Sequence, residues 1–179
     1  MRIISGTHRG KQLIAPKTLP VRPTTDFAKE SLFNILNNYF FLDSIKVLDL
    51  FAGTGNISYE FGSRGCSDIT AVDSHPACVQ YIRKTAEALA YPIEVVKSDV
   101  FTYLDRSVSQ YDVIFADPPY DIDPDSLERL IETVFERNLL SEDGLLIVEH
   151  SSKVHLEEDP HFQEERRYGG TTFSIFNND

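Results

Sequence analysis

Four consecutive residues, Asp117-Pro118-Pro119-Tyr120, carry the most specific chemistry in this chain. They follow Asp112-Val113-Ile114-Phe115-Ala116, an apolar run that reads as a buried strand. Proline has no backbone N–H and holds φ near about −65°. Two in succession make a rigid corner whose carbonyls are not consumed by a β-ladder. A carboxylate beside a backbone carbonyl offers two acceptors, matching the two donors of a planar –NH2 group. Tyr120 adds a face on which a flat ring can stack. The four residues are the expected catalytic set for an acceptor amine on a nucleobase or an amide.

A second constellation emerges from the strand ends. In an open α/β sheet the ligand sits beyond the carboxyl ends of the strands. Four expected strands each end near a carboxylate: Asp49, Asp73, Asp99 and Asp117. Asp49 opens Asp49-Leu50-Phe51-Ala52-Gly53-Thr54-Gly55, where Gly53 and Gly55 let a ligand approach the backbone at the start of a helix. The dinucleotide pattern G-x-G-x-x-G is not completed, because its third position is Ser58. An acidic rim also opposes a pyrophosphate and suits a ligand with a cationic centre and hydroxyls. Asp73 is placed for a ribose diol, Asp99 for an adenine amine, and Asp49 for the amino end of an amino acid. S-adenosylmethionine combines all three with a sulfonium.

Elements that position these residues can be read from periodicity. Residues 2–15 alternate loosely around Gly6 and Gly10, as a hairpin or a pair of short strands does. Pro16, Pro20 and Pro23 punctuate the connection to the next element. A helix is expected from Thr25 or Asp26 to about Phe40. Strands are expected at Lys46–Phe51, Ile69–Asp73, Ile93–Lys97, Tyr111–Asp117 and Gly144–Glu149. Helices are expected after Gly55 to about Ser63, over Pro76–Ala90 and over Asp125–Leu140. Short apolar strands alternating with amphipathic helices imply a parallel sheet covered on both faces. Thr171–Phe176 is strand-like with no room for a preceding helix, so an antiparallel strand is expected at or near the sheet's edge.

Composition narrows the class. At 179 residues, one domain is expected. Cys66 and Cys78 form neither a disulfide framework nor a metal spacing. No run of apolar residues approaches the length of a membrane span, and a cytoplasmic protein is expected. The net charge of −11 argues against a nucleic-acid partner until its distribution is read. Residues 1–25 hold Arg2, Arg9, Lys11, Lys17 and Arg22 without one acid, so a local basic surface sits on an acidic body.

Asp49-x-Phe51-x-Gly53-x-Gly55 with Asp117-Pro118-Pro119-Tyr120 resembles the class I amino-methyltransferases. The resemblance sharpens at Arg2-Ile3-Ile4-Ser5-Gly6, Arg9-Gly10-Lys11 and Leu13. It continues through Arg22-Pro23-Thr24-Thr25-Asp26 and Glu30-Ser31-Leu32-Phe33-Asn34-Ile35-Leu36, and in the tail Arg167-Tyr168-Gly169-Gly170-Thr171. These segments are similar to the RsmD-like family, which methylates N2 of a guanine in bacterial small-subunit (16S) ribosomal RNA. One departure is Ser5, where the family more often has glycine.

The resemblance implies an α/β, Rossmann-like class I methyltransferase fold. Its sheet has seven mostly parallel strands with helices on both faces, an antiparallel strand near the C-terminus and a small N-terminal β-hairpin. Residues 1–24 would be the basic RNA-contacting arm, with Arg2, Arg9, Lys11 and Arg22, and 25–179 the methyltransferase domain. Asp117 and Pro118 would accept from the amine, with Pro119 completing the corner and Tyr120 stacking. Asp49, Phe51, Gly53 and Gly55 would surround the methionine part of S-adenosylmethionine, Asp73 the ribose and Asp99 the adenine. Thr24 and Thr25 would close one side of the pocket. No metal is expected, and the product is S-adenosylhomocysteine. The expected partner of this monomer is ribosomal RNA, free or within a small-subunit assembly intermediate. The corner alone is shared with DNA adenine and protein glutamine methyltransferases. A nicotinamide oxidoreductase and a non-catalytic RNA-binding module are further alternatives.

Overall fold

The computed structural model describes residues 1–179. Five strands run parallel: β1 (Lys46–Leu50), β2 (Asp68–Asp73), β3 (Ile93–Lys97), β4 (Tyr111–Ala116) and β5 (Leu140–His150). Two more, β6 (Phe162–Tyr168) and β7 (Thr171–Phe176), form an antiparallel hairpin. The sheet order is β3-β2-β1-β4-β5-β7-β6. β7 therefore inserts between β5 and β6 rather than ending the sheet. The order reverses between β1 and β4, which creates the crevice where ligands of such sheets sit.

Helices α1 (Asp26–Leu36) and α2 (Asn56–Ser63) cover one face, packing Leu32, Phe33, Ile57 and Phe61 against Val47, Phe115 and Ile147. Helix α5 (Pro124–Glu136) and α4 (Val100–Arg106) cover the other, against Leu48, Leu50, Ile114 and Val148. Helix α3 (Pro76–Leu89) lies over the β2–β3 side, where Ile82 and Leu89 meet Ala71. Each strand alternates between these layers. Asp49 points to the same face as Val47, and residues two beyond Phe115 and Ile147 share that face as well. No helix is long and apolar enough to cross a membrane.

Five elements differ from the pattern-based expectation, the first being α5, which stops at Glu136 rather than Leu140 because Arg137 caps it and Leu140 already belongs to β5. Helix α1 ends at Leu36, four residues early, because Asn37 caps it and Tyr39 turns out to solvent. Strand β5 starts four residues sooner, at Leu140, beyond an irregularity in its register with β4. Helix α4 has no counterpart in the expected pattern. It is short, rich in β-branched and aromatic residues, and held by the Asp99 cap, whose side chain accepts from the Thr102 N–H. Strand β6, Phe-Gln-Glu-Glu-Arg-Arg-Tyr, carries charged side chains on a half-covered edge, so it has no apolar signature.

The N-terminal segment forms a small hairpin joined by the Arg2–Gln12 bridge and by reciprocal bonds between Met1 and Leu13. It is fastened to α2. Ile3 is buried beside Tyr59 and Ile82. The Glu60 carboxylate accepts from the N–H groups of Ile4 and Ser5, both at 3.0 Å. Gly6 has φ +84° and a Cβ there would overlap the Ser63 carbonyl, so the turn needs glycine.

Candidate active site

The first wall of the site is the turn after β1. Phe51, Gly53 and Gly55 take φ values of 57°, 58° and 81°. A left-handed phenylalanine costs about 1–3 kcal/mol and persists only where its surroundings enforce it. Asp73, at the end of β2, supplies the enforcement. One carboxylate oxygen accepts from the Gly53 N–H at 2.8 Å, while the other accepts from the His75 N–H at 2.8 Å. A Cβ at Gly55 would meet the Tyr59 ring at 2.6 Å, and one at Gly53 would crowd Val21 at 3.3 Å. The stretch before α1 therefore lies directly against the glycine turn.

Asp49 lies behind this turn and is buried. The Ser58 hydroxyl donates to it at 2.6 Å. Burial, aided by the neighbouring Asp73 charge, pushes its pKa from 3.8 up to about 7, and the Ser58 bond opposes the rise. The folded state thus prefers the neutral acid. That contribution to stability is complete below about pH 4 and is lost as pH rises through about 7. Asp49→Asn keeps an acceptor for Ser58 and removes the charge. Its thermal midpoint should exceed that of the parent above pH 7, by an amount worth a few kcal/mol, and match it near pH 4. Melting curves at pH 4 and 8 that differ equally between the two proteins would exclude a buried charge penalty.

The second wall is the corner after β4. The Asp117 N–H makes a long bond to the Leu50 carbonyl, 3.4 Å, which ties the corner to the end of β1. The Asp117 carboxylate and the Pro118 carbonyl accept no hydrogen bond from the protein, whereas the Pro119 carbonyl accepts from Ile122. Pro118 is buried, Asp117 half-buried, and Tyr120 is 82% exposed at the lip. The predicted acceptor pair is therefore free and adjacent to the glycine turn. Burial, then the charge of Glu149, then that of Asp49, hold the Asp117 pKa well above the ordinary carboxylate range.

Glu149 is absent from the sequence-derived set. It is the next-to-last residue of the fifth parallel strand, and the four acids already named lie within two residues of the ends of theirs, so the same rule applied once more finds it. Its carboxylate accepts from the Thr24 hydroxyl at 2.9 Å. Thr24 is buried and its carbonyl accepts from Asn56. It thus reaches the rim through Glu149, while Thr25 is exposed and its hydroxyl caps α1. Asp99 is exposed at the end of β3 and one of its oxygens caps α4. The Ser98 N–H donates to the Asp73 carbonyl, so the ends of β2 and β3 stay together.

Among the basic candidates, Arg9 and Lys11 are exposed on the hairpin and Arg22 on the segment before α1. Arg2 is exposed but paired with Asp26 at 3.2 Å. A groove of about 320 Å³, lined by Met1, Leu13, Val21, Pro23 and Thr54, runs between the hairpin and the glycine turn.

A Rossmann-like sheet with its order reversed at β1/β4, a glycine turn on one side and an Asp-Pro-Pro-Tyr corner on the other, defines the class I methyltransferase fold. Residues 1–177 match the family described as Conserved hypothetical protein 95, and the chain belongs to this family, the RsmD family of methyltransferases. It is 34% identical to the Bacillus subtilis protein named "Putative rRNA methyltransferase YlbH", over 98% of both chains. It is 32% identical to the Ribosomal RNA small subunit methyltransferase D of Escherichia coli, over 83% of this chain and 74% of that one. The solved structure of the Escherichia coli protein yhhF superimposes with a TM-score of 0.85 at 29% identity, covering 98% and 96% of the two chains.

Proposed function

We propose that this protein transfers a methyl group from S-adenosylmethionine to the exocyclic N2 amine of a guanine in small-subunit ribosomal RNA. One observation carries the reading. The Asp117 carboxylate and Pro118 carbonyl are neighbouring acceptors without partners, beside a strained glycine turn. The names of the relatives that match nearly end to end support the ribosomal substrate.

The residues present fit S-adenosylmethionine. The left-handed turn at Gly53 and Gly55 is packed against Val21 and Tyr59 and held by Asp73, which fixes the rim, and Asp73 and Asp99 each retain acceptor capacity for hydroxyls and amines. Asp49, Asp117 and Glu149 form no ion pair, so the rim suits a cation. When bound, this cofactor supplies a methyl group on a sulfonium, whose positive charge makes the sulfur a good leaving group.

The chain itself does the positioning. An exocyclic guanine amine is a weak nucleophile, since its lone pair is delocalised into the ring. Accepting both N–H bonds at Asp117 and Pro118 turns that lone pair out of conjugation. The same acceptors stabilise the positive charge that grows on nitrogen. Orientation of this kind accounts for up to roughly 7–11 kcal/mol of barrier lowering. Tyr120 at the lip offers its ring to a base splayed out of a stack.

Tritium counts from labelled S-adenosylmethionine are expected in 16S rRNA, and nucleoside digestion should recover N2-methylguanosine. Label appearing instead in DNA or protein, or in a different nucleoside, overturns the assignment.

The exposed arm side chains Arg9 and Lys11 are proposed to contact phosphates. Arg9→Ala with Lys11→Ala should weaken RNA binding several-fold and flatten the log K versus log salt slope by about 1.5. A salt titration of the double variant that overlays the parent would remove the arm from the RNA interface.

A further inference from the structure

Resting on the methyl-transfer reading, we propose that Glu149 is a positioning residue: its charge, fixed at the end of β5 by the Thr24 hydroxyl, gives Asp117 the basicity to take the proton that the target amine sheds. The register carries this. Ala116 pairs with Val148 in the parallel β4–β5 ladder, so Asp117 and Glu149 follow as the next opposed positions. Parallel strands lie about 4.8 Å apart. Alternation turns both side chains to the face of Phe115 and Ile147, the face that also carries Asp49 across the β1–β4 pairing.

Every charged neighbour of that face works in one direction or is already occupied. Asp49 from β1 and Glu149 from β5 both disfavour charge on Asp117. Asp73 acts on Asp49 from β2. Lys29, the buried lysine of α1, is held by Glu60, Asn56 and the Arg2 carbonyl. Burial raises the Glu149 pKa, and the Thr24 hydroxyl, which donates to this carboxylate, opposes the rise and favours its ionised form. Glu149 has a donor and Asp117 has none, so Glu149 ionises first of the two, and a charged carboxylate next to a second one makes that second group the better base.

The proton balance is simple. The amine nitrogen's lone pair forms the new N–C bond, the C–S bond breaks with its electron pair on sulfur, and the surplus N–H proton goes to Asp117. Water then collects it from the lip of the site. Glu149 exchanges no atom in this sequence, so it acts only through Asp117.

Carboxyl-carbon NMR of the full chain reads the pair without any substrate, with Asp117 assigned by the signal lost in Asp117→Asn. In the parent protein Asp117 should titrate above the ordinary carboxylate range. In Glu149→Gln its midpoint should fall by about 1 pH unit or more. The acidic limb of kcat for RNA methylation should move to lower pH by the same amount. KM for S-adenosylmethionine should stay constant, and the plateau kcat should fall several-fold as the base weakens. Thr24→Val should shift both readouts the same way by a smaller step. It keeps both carboxyls, so it decides the question if Glu149→Gln does not fold. An Asp117 midpoint unmoved in a folded Glu149→Gln, or in Thr24→Val where that variant alone folds, overturns the proposal. A parent enzyme that titrates as expected yet labels no RNA refutes the methyl-transfer reading and not the carboxyl pair.

Discussion

Asp117→Ala is expected to abolish methyl transfer while S-adenosylmethionine still binds. In the proposed mechanism the side chain lost is half of the acceptor pair and the group that meets positive charge on the amine. Removing one donor or acceptor that stabilises transition-state charge costs about 10²–10³ in kcat, and removing the proton acceptor adds to it. Asp117→Asn makes the test sharper. Asparagine preserves the shape of the corner and one acceptor oxygen, but it presents an –NH2 toward the amine and carries no charge. It should therefore fall nearly as far as alanine. Cofactor affinity should change little in either variant, because the glycine turn is held by Asp73 and not by the corner. Single-turnover labelling of RNA measures the first quantity and calorimetry with S-adenosylmethionine the second. Asp117→Asn turning over at more than about a tenth of the parent rate would deny the aspartate its role.

Glu60→Ala is expected to be the most damaging substitution for stability. Glu60 is fully buried in α2 and serves four partners: the N–H groups of Ile4 and Ser5, the Arg64 guanidinium at 2.9 Å and the Lys29 ammonium at 3.5 Å. Burial already depresses the Lys29 pKa, and the Glu60 charge is what opposes that depression most. Without Glu60, a lysine with no exposed surface keeps only Asn56 and a carbonyl. Stripping one partner from a buried ion pair costs about 3–5 kcal/mol, a large share of the roughly 5–15 kcal/mol that holds a domain folded. For a chain of this size the thermal midpoint should fall by roughly 6–20 °C. The arm should also loosen, since two of its backbone donors lose their acceptor. Limited proteolysis should therefore cut near Gly6 to Gly10 before the rest of the chain. Lys29→Met combined with Glu60→Leu should recover part of the loss, because neither charge is then stranded. A midpoint within a few degrees of the parent in Glu60→Ala would mean that the network is incidental to the arm.

These two variants separate the two jobs of α2's surroundings. Asp117 belongs to a site assembled from strand ends, where little packing is at stake. Glu60 belongs to the joint that holds the basic hairpin in place, far from the acceptor corner in sequence. A loss of RNA methylation in Glu60→Ala with cofactor binding intact would trace to the arm.

Local chemistry in the sequence determined much of this protein. Paired prolines after an apolar run made a corner whatever surrounded them, and Gly53 and Gly55 marked a turn that side chains could not occupy. Because a parallel sheet gathers its carboxyl ends at one rim, Asp49, Asp73, Asp99 and Asp117 could be grouped from the order of residues alone. Weakly patterned elements were not legible: α4 depends on one cap, and β6 is a charged edge whose partner β7 defines it. Nor did any pattern reveal that Lys29, Asn56 and Glu60 share a buried joint, since lone polar residues on a helix ordinarily face water. Glu149 lay between these cases. Its place at a strand end was readable, but its neighbours were not, because the register of β5 against β4 and the passage of Thr24 over the rim are set by long-range packing. Periodicity records which side of an element faces inward; only the assembled tertiary structure decides which inward-facing groups meet.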